Sequence, residues 1–408
     1  MIDEIKSSIA KLTSTLPPLL LGQERINFLI DKFSMFSNEE KYNFLKLTNR
    51  ILTHMIEREA SDIEFGGNGN DGFVWMRIYG KKERVKDLPK FTVDEFAILI
   101  LNLLGENQRR YLIVTRSLDL SYAFYYERKQ VNVRFRATVY FDLDTLALNM
   151  RSISSQVRPI ESFEFHPNVL KTMSHTYVKY GLNLITGITG SGKSSTLDAI
   201  IDFHNKIDPA HIVIIASPLE FVHKSNVSLI RHREVGRDVL TFKDGVVQSL
   251  RQDPDIIVIG EMRDPDTIMA ALEVSDTGHK VFSTLHTSSA VESIDRIIAE
   301  VHPSEQDRVR VRLADVLTCV ISQKLVPTIN GKIVLAKEVL LVNSNVKAAI
   351  KNNNTSEIYM MITQGGQLGM FTLEQDLKRL YIQKKITLDS ALAYANNKTR
   401  MQQLLSAV

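Results

Sequence analysis

The sequence predicts an α/β protein built on a mostly parallel β-sheet with helices on both faces, preceded by a separate α+β domain. Three observations carry this prediction. Short apolar runs rich in β-branched residues recur in the second half of the chain, helical segments separate them, and a glycine-rich turn joins the first run to a helix. Such runs are typical of strands buried on both faces of a parallel sheet. The runs are residues 182–186, 212–216, 256–259 and 281–285.

The α+β domain is predicted over residues 46–150. Apolar residues recur at helical spacing from Tyr42 to Met55. Thr92 and Glu95 form a capping-box pattern, which predicts a helix over residues 93–104. Paired strands are predicted at 122–126 and 131–140, and a further strand at 73–79 follows a glycine-rich turn at 66–72.

Helical segments are predicted at both ends of the chain. Residues 1–45 form an N-terminal extension, in which Pro17 and Pro18 break one helix and Ser37, followed by Glu39 and Glu40, starts the next. Residues 151–168 are polar, contain two prolines and predict a linker to the second domain at 169–344. Residues 345–408 predict a helical C-terminal region interrupted by three glycines.

The composition excludes several classes of protein. Fifty basic and 47 acidic residues give a formal net charge of +3, too even for bulk attraction to nucleic acid, and we expect no specific nucleic-acid partner. Cys319 is the single cysteine, so the chain holds neither an intramolecular disulfide nor a multi-cysteine zinc site. No apolar run approaches the roughly 18 residues that span a bilayer. We therefore expect a cytoplasmic protein with no segment inserted in the membrane.

The glycine-rich turn matches the phosphate-binding pattern G-x4-G-K-[S/T]. Glycines let backbone N–H groups approach phosphate oxygens, and the following helix presents its positive end. Lys193 supplies a charge for the β- and γ-phosphates of ATP, and the Ser194 hydroxyl is a ligand for Mg²⁺. The predicted nucleotide-binding residues are Gly187, Thr189, Gly190, Ser191, Gly192, Lys193, Ser194 and Ser195.

Carboxylates flank the strand at 256–259. We interpret Asp255 as a second group that serves Mg²⁺, and Glu261 as a group that holds the Mg²⁺ shell or polarises the attacking water. His286 follows the strand at 281–285, on the side of a parallel sheet where ligands bind, and is a candidate γ-phosphate sensor. An ordinary surface or core histidine is the alternative.

Several separate motifs together resemble the secretion-ATPase superfamily, and most of all its PilT-type pilus retraction ATPases. The motifs are GEMRDPDTI at 260–268, TGH at 277–279, STLHT at 283–287, IDRI at 294–297, ASDI at 60–63, RFR at 134–136, RSI at 151–153 and QLGMFT at 367–372. They occur in the family's order and extend over about 45–390.

The resemblance implies a PAS-like N-terminal domain joined to a RecA-like P-loop ATPase domain, assembled as a homo-hexamer that binds ATP and Mg²⁺. It implies a motor peripheral to the inner-membrane pilus machinery, docked on a platform protein. Arg134, Arg136 and Arg151 are candidates to reach a neighbouring subunit's nucleotide, although exposed strand arginines are equally typical. The absence of a tetracysteine zinc site favours the retraction branch over the assembly branch.

Two departures from the family's pattern affect function. The family's Glu-Asp-Pro-Ile-Glu box appears as residues 216–220, ASPLE, so Ala216 replaces the glutamate taken as the general base while Glu220 is retained. The retraction-linked segment is altered to residues 345–352, NVKAAIKN. Two alternatives therefore stay open: a non-catalytic ring subunit that mixes with a related active ATPase, and a motor for secretion or DNA uptake.

Overall fold

The computed structural model describes residues 2–17, 19–78, 81–153 and 156–406. The chain divides into two compact units. Unit 1 contains Met1–Ser155 together with the short segment Pro218–Phe221, and unit 2 contains Gln156–Ser217 together with Val222–Val408.

Unit 1 combines five helices with six strands in the described residues. Its helices are α1 Ile2–Thr13, α2 Gly22–Ser34, α3 Asn38–Glu57, α4 Val93–Asn102 and α5 Glu106–Thr115. Its strands are β1 Asp62–Gly66, β2 Trp75–Ile78, β3 Lys81–Arg84, β4 Ser117–Tyr126, β5 Val131–Asp142 and β6 Thr145–Ile153. The strands form one antiparallel sheet in the order β3-β2-β1-β6-β5-β4.

Helix α4 is the centre of the core of unit 1. All residues from Glu95 to Leu101 are buried, and α4 packs against the sheet as well as against α1, α2 and α3. The predicted capping box is confirmed, because Thr92 Oγ1 accepts from the Glu95 backbone N–H and the Glu95 carboxylate accepts from the Thr92 N–H. Ser37 and Glu40 form the same arrangement at the start of α3.

Two predicted boundaries in this unit are corrected. Residue 45 lies inside α3, which continues as one amphipathic helix through the predicted end of the extension. Residues 151–153, predicted as linker, are the last residues of β6, because Arg151 pairs with both Asp62 of β1 and Arg136 of β5. The predicted strand at 73–79 is observed over Trp75–Ile78, and Tyr79 lies outside the described residues.

Unit 2 is built on a seven-stranded sheet. Its strands are β7 Gly181–Thr186, β8 His211–Ala216, β9 Leu229–Glu234, β10 Ile256–Ile259, β11 Lys280–Leu285, β12 Leu317–Pro327 and β13 Ile333–Leu341. Its helices are α6 Pro167–Met173, α7 Lys193–Ile207, α8 Phe242–Ser249, α9 Pro265–Asp276, α10 Ala290–Glu300, α11 Gln306–Val316, α12 Ser344–Lys351, α13 Ile358–Gln364, α14 Leu373–Ile382, α15 Leu388–Tyr394 and α16 Lys398–Ser406.

The strand order is β13-β12-β7-β11-β10-β8-β9, and the neighbouring pairs are parallel except for β12 with β13. All four predicted strands of the parallel sheet are confirmed. Strand β9 and the antiparallel hairpin formed by β12 and β13 were not predicted from the sequence. The predicted helical C-terminal region is also confirmed, and α14, α15 and α16 share a small apolar cluster with Val326 and Ala336 of that hairpin.

Candidate functional site

The glycine-rich loop lies between β7 and α7, at the carboxyl edge of the sheet. It begins directly after Thr186 and ends where Lys193 opens the helix. Gly190 and Gly192 have φ angles of 78° and 87°, which L-residues with a Cβ rarely adopt. A Cβ on Gly190 would meet nothing within 4 Å, so the backbone at this position faces open space. The loop therefore has exposed backbone at residues 188–190, at the positive end of a 15-residue helix.

Lys193 folds back over this loop. Its Nζ donates to the carbonyl oxygens of Gly187 at 2.8 Å and of Ile188 at 3.1 Å. Nζ also lies 3.5 Å from Nδ1 of His286. The lysine charge is thus held at the loop, where the pattern predicted it. Ser194 is partly exposed in the first turn of α7, and Ser195 is exposed beside it.

Glu261 and His286 are brought together with Lys193. Glu261 follows the carboxyl end of β10, His286 follows that of β11, and the two strands are neighbours. Nε2 of His286 lies 3.8 Å from Oε2 of Glu261, which also contacts Nε of Arg263 at 2.7 Å. Burial, followed by the nearby charges of Lys193, Arg263 and Arg296, lowers the pKa of His286. The imidazole is therefore neutral at neutral pH and presents one donor and one acceptor nitrogen.

Asp255 does not belong to this group, and its predicted metal role is wrong. It precedes β10 and lies at the amino edge of the parallel sheet, whereas the loop lies at the carboxyl edge. The four residues of β10 separate the two edges by roughly 13 Å. There its Oδ2 accepts from the backbone N–H of His211 at 2.8 Å, and its backbone joins those of β8 and β11.

Ala216 is the last residue of β8, on the far side of β10 from the loop strand. A Cβ built on Gly260 would approach the Cα of Ala216 to 3.2 Å, so these two backbones run close together. The Gly260 N–H donates to the Ile215 carbonyl at 2.8 Å. Ala216 therefore ends its strand next to the segment that carries Glu261.

The remaining predicted residues lie in unit 1. Arg136 of β5 is directly opposite Arg151 of β6, and Arg134 lies two residues along on the same face. Arg151 donates to Oδ1 of Asp62 at 2.7 Å. Glu220 lies 3.8 Å from Nη1 of Arg136. The three arginines therefore form one basic group on one face of this sheet, with Asp62 and Glu220 as acidic partners.

Sequence reasoning missed the contribution of β12. Gln323 Nε2 donates to the Ser191 carbonyl at 2.9 Å, and Gln323 Oε1 accepts from Thr196 Oγ1 at 3.0 Å. At the preceding position of β12, Ser322 pairs with Thr186 of β7, and the hydroxyls of these two residues are 2.7 Å apart. The only signal for these contacts is a group of three polar residues, Ser322 to Lys324, inside an otherwise apolar stretch from Val320 to Val326.

A cavity of about 310 Å³ opens beside the first turn of α7. It is lined by loop and helix residues, by apolar side chains and by several cationic side chains. Its lining includes Gly192, Ser195, Phe163, Leu325, Arg158 and Arg379.

Unit 2, a mostly parallel sheet with a glycine-rich loop after one of its inner strands, has the RecA-like fold of P-loop ATPase domains. A family model described as "Type II/IV secretion system protein" matches residues 37–365. The chain belongs to this family.

The chain is similar to named members of the family. It is 37% identical to the "Type IV pilus retractation ATPase PilT" of Pseudomonas aeruginosa, over 84% of this chain and 96% of that protein. It is 36% identical to a "Twitching motility protein" of Neisseria gonorrhoeae, over 80% of this chain and 85% of that one. The crystal structure of the pilus retraction motor PilT with bound ADP matches with a TM-score of 0.77 and 34% identity, covering 86% of this chain and 98% of that one.

Membrane insertion has no candidate in the part of the chain that the structure describes: none of its helices combines the length and the apolar character of a membrane span.

Proposed function

We propose that this chain is a nucleoside-triphosphate hydrolase that uses ATP and Mg²⁺ to drive pilus retraction. The observation that carries the proposal is the convergence of Lys193, Glu261 and His286 on the exposed backbone of the loop that precedes α7. The relatives that are named retraction and twitching motility proteins support the biological role.

The phosphates of ATP lie on the loop in this proposal. Gly190 leaves space for them at the backbone, and Lys193 supplies the positive charge. The neighbouring cavity takes the nucleoside, because it starts at Gly192 and Ser195 and offers apolar surface at Phe163 and Leu325. Its volume of about 310 Å³ suits a group of nucleoside size.

Hard oxygen ligands of the kind that Mg²⁺ prefers are present at Ser194 and Glu261. Bound Mg²⁺ neutralises charge on the phosphate chain. Glu261 orients the attacking water. The neutral His286 lies between Lys193 and Glu261, with Nδ1 towards the lysine and Nε2 towards the carboxylate. Glu220 is retained as a second carboxylate. In the ring, Arg134, Arg136 and Arg151 stabilise charge on a neighbouring subunit's nucleotide.

Turnover is slow in this proposal because Ala216 stands where the family's general-base glutamate is expected. Loss of a positioned base typically costs about 10²–10⁴-fold in rate. The same residue favours a second candidate function, in which the chain binds ATP as a non-catalytic subunit of a ring shared with a related active ATPase. A motor for secretion or DNA uptake would need the same phosphate site.

The working assembly is a ring of six copies, as the family resemblance implies, and arginines that serve a neighbouring site require a heterologous interface that closes. The ring docks on an inner-membrane platform protein and remains peripheral to the membrane. Light scattering in ATP and Mg²⁺ tests the ring: a species of six protomers is expected, and a monomer at micromolar concentration contradicts it.

Steady-state phosphate release, measured with and without Mg²⁺ beside calorimetric ATP titration, tests the catalytic proposal. Binding with slow, Mg²⁺-dependent release supports the weakened motor. Binding without any release supports the non-catalytic subunit. Failure to bind ATP overturns both. Deletion of the gene, scored for twitching, retraction, secretion and DNA uptake, separates the possible biological roles.

A further inference from the structure

Strand β12 contacts the glycine-rich loop at both of its ends. At the first end, a Cβ on Gly187 would come within 2.5 Å of the Gln323 carbonyl oxygen, so the two backbones are in close contact. At the second end, the Gln323 side chain bridges the Ser191 carbonyl and the Thr196 hydroxyl. A single residue of a neighbouring strand thus touches the start of the loop, its last turn and the helix behind it.

A primary amide is suited to this position because it donates and accepts at the same time. Gln323 is 2% exposed, Ser191 is 2% exposed and Thr196 is fully buried, so water does not replace either contact. A buried polar group that loses its partner carries a desolvation cost, which makes the bridged geometry strongly preferred over alternatives. The Ser191 carbonyl is therefore fixed in direction, and with it the peptide that joins Ser191 to Gly192.

The direction of that peptide decides which way the Gly192 N–H points. In a loop that binds phosphate through backbone N–H groups, a rotated peptide presents a carbonyl oxygen to the anion instead of a donor. We propose that Gln323 is a positioning residue that holds the glycine-rich loop in its phosphate-binding shape. The inference rests on the proposed ATP-binding function, since its purpose is to prepare the loop for phosphate.

Gln323→Met tests the inference because methionine retains the length of the side chain and removes both hydrogen bonds. We expect ATP affinity to fall about tenfold, the change that corresponds to one or two lost hydrogen bonds. Thr318→Val is the matched control: Thr318 also lies on β12 and bonds to β7, through the Leu182 carbonyl, but at the end far from the loop. Its ATP affinity should stay within twofold of the unmodified protein.

A second variant gives a readout that a merely structural role does not move. Gln323→Glu retains an acceptor for Thr196 and regains a donor for the Ser191 carbonyl only when the carboxyl is protonated. Relative to the unmodified protein at each pH, its ATP affinity should recover as pH falls from 8.5 to 5.5. A flat ratio overturns the inference, as does unchanged affinity in Gln323→Met or an equal loss in Thr318→Val.

Hydrogen exchange without nucleotide separates this inference from the proposed function. Amides at 188–192 should exchange faster in Gln323→Met than in Thr318→Val. If the unmodified protein binds no ATP, the proposed function fails, and the exchange result alone decides whether Gln323 shapes the loop. If it binds ATP and the exchange rates of the two variants are equal, only the positioning inference fails.

Discussion

The two edges of the sheet in unit 2 carry the same residue types in different surroundings. At the carboxyl edge, Lys193, Glu261 and His286 lie around an exposed loop, and their mutual contacts of 3.5 and 3.8 Å are long. At the amino edge, Lys280 is completely buried, and its Nζ donates to the Thr172 and Val178 carbonyls at 2.9 Å each. The first arrangement leaves room for a ligand, whereas the second ties segments of the chain together.

The amino edge also contains a buried histidine–aspartate pair. His204 Nδ1 lies 2.6 Å from Oδ2 of Asp208, and both side chains are 1% exposed. Burial lowers the pKa of His204, while the hydrogen bond and the charge of Asp208 oppose the change. Residue type therefore does not separate a ligand site from a structural network; strand direction and available space do.

Lys193→Ala should have the largest effect. It removes a charge-assisted contact with the phosphates, so ATP affinity should fall at least about 100-fold by calorimetry. Lys206→Ala, at the exposed end of the same helix, is the control and should bind ATP normally. Unchanged ATP affinity in Lys193→Ala would rule out the phosphate-loop assignment. It would also contradict the proposal that the carboxyl edge of the sheet binds the ligand.

Ala216→Glu should accelerate phosphate release and leave ATP affinity nearly unchanged. The new carboxylate would end β8 beside the Glu261 segment and recover part of the roughly 10²–10⁴-fold contribution of a positioned base. Ala216→Gln supplies the same shape without a base. The interpretation of Ala216 is refuted by brisk hydrolysis in the unmodified protein, or by a folded Ala216→Glu variant that is no faster.

Lys280→Met should change the pH dependence of stability rather than ATP binding. Burial lowers the pKa of Lys280 to about 7 from its usual 10.5. Between these values the unfolded chain binds the extra proton, so this lysine makes stability rise with pH by about 1.4 kcal/mol per unit. Urea unfolding midpoints at pH 7.5 and 9.5 should diverge less in the variant. An identical pH dependence of stability in Lys280→Met and in the unmodified protein would contradict a Lys280 amine that is buried and largely uncharged in this pH range.

Asp255→Asn should have the smallest effect on activity. Asparagine retains an oxygen for the His211 N–H, and the site lies at the opposite edge from the loop. The Mg²⁺ concentration that gives half-maximal phosphate release should stay within twofold, while Ser194→Ala, which removes the proposed ligand, should raise it. A raised Mg²⁺ requirement in Asp255→Asn would show that Asp255 does serve Mg²⁺. It would contradict the assignment of ligand binding to the carboxyl edge and of a structural role to the amino edge.

Local signals in the sequence were sufficient for much of the fold. The helix start at Ser37, the capping box at Thr92 and the apolar runs of the parallel sheet depend on residues a few positions apart, where backbone preferences act directly. The β12–β13 hairpin was missed even though its pairing is local, since Pro327 pairs with Ile333 across a short turn that contains Asn330 and Gly331. The Gln323 bridge was missed for a different reason, because Ser191 is 132 residues away in the sequence.

The candidate site was predictable in part. The loop pattern placed Lys193, and strand ends placed Glu261 and His286, because parallel strands present their carboxyl ends together. Asp255 was misplaced although it precedes its strand, which already puts it at the other edge. The strand-end rule that placed Glu261 therefore also excludes Asp255 from the edge that carries the loop.

Helix α4 has a consequence for how this protein can be divided. The family match begins at residue 37 and omits α1 and α2, yet both pack on α4 and bury Ile9 and Leu29 completely. The Arg25 guanidinium donates two hydrogen bonds, of 2.8 and 2.5 Å, to the Asp94 carboxylate. A fragment that begins at residue 37 would expose apolar surface of α4 to water, and exposed apolar surface promotes aggregation and poor yield. The start of the family match at residue 37 is therefore not the start of the folded core of unit 1, which includes α1 and α2.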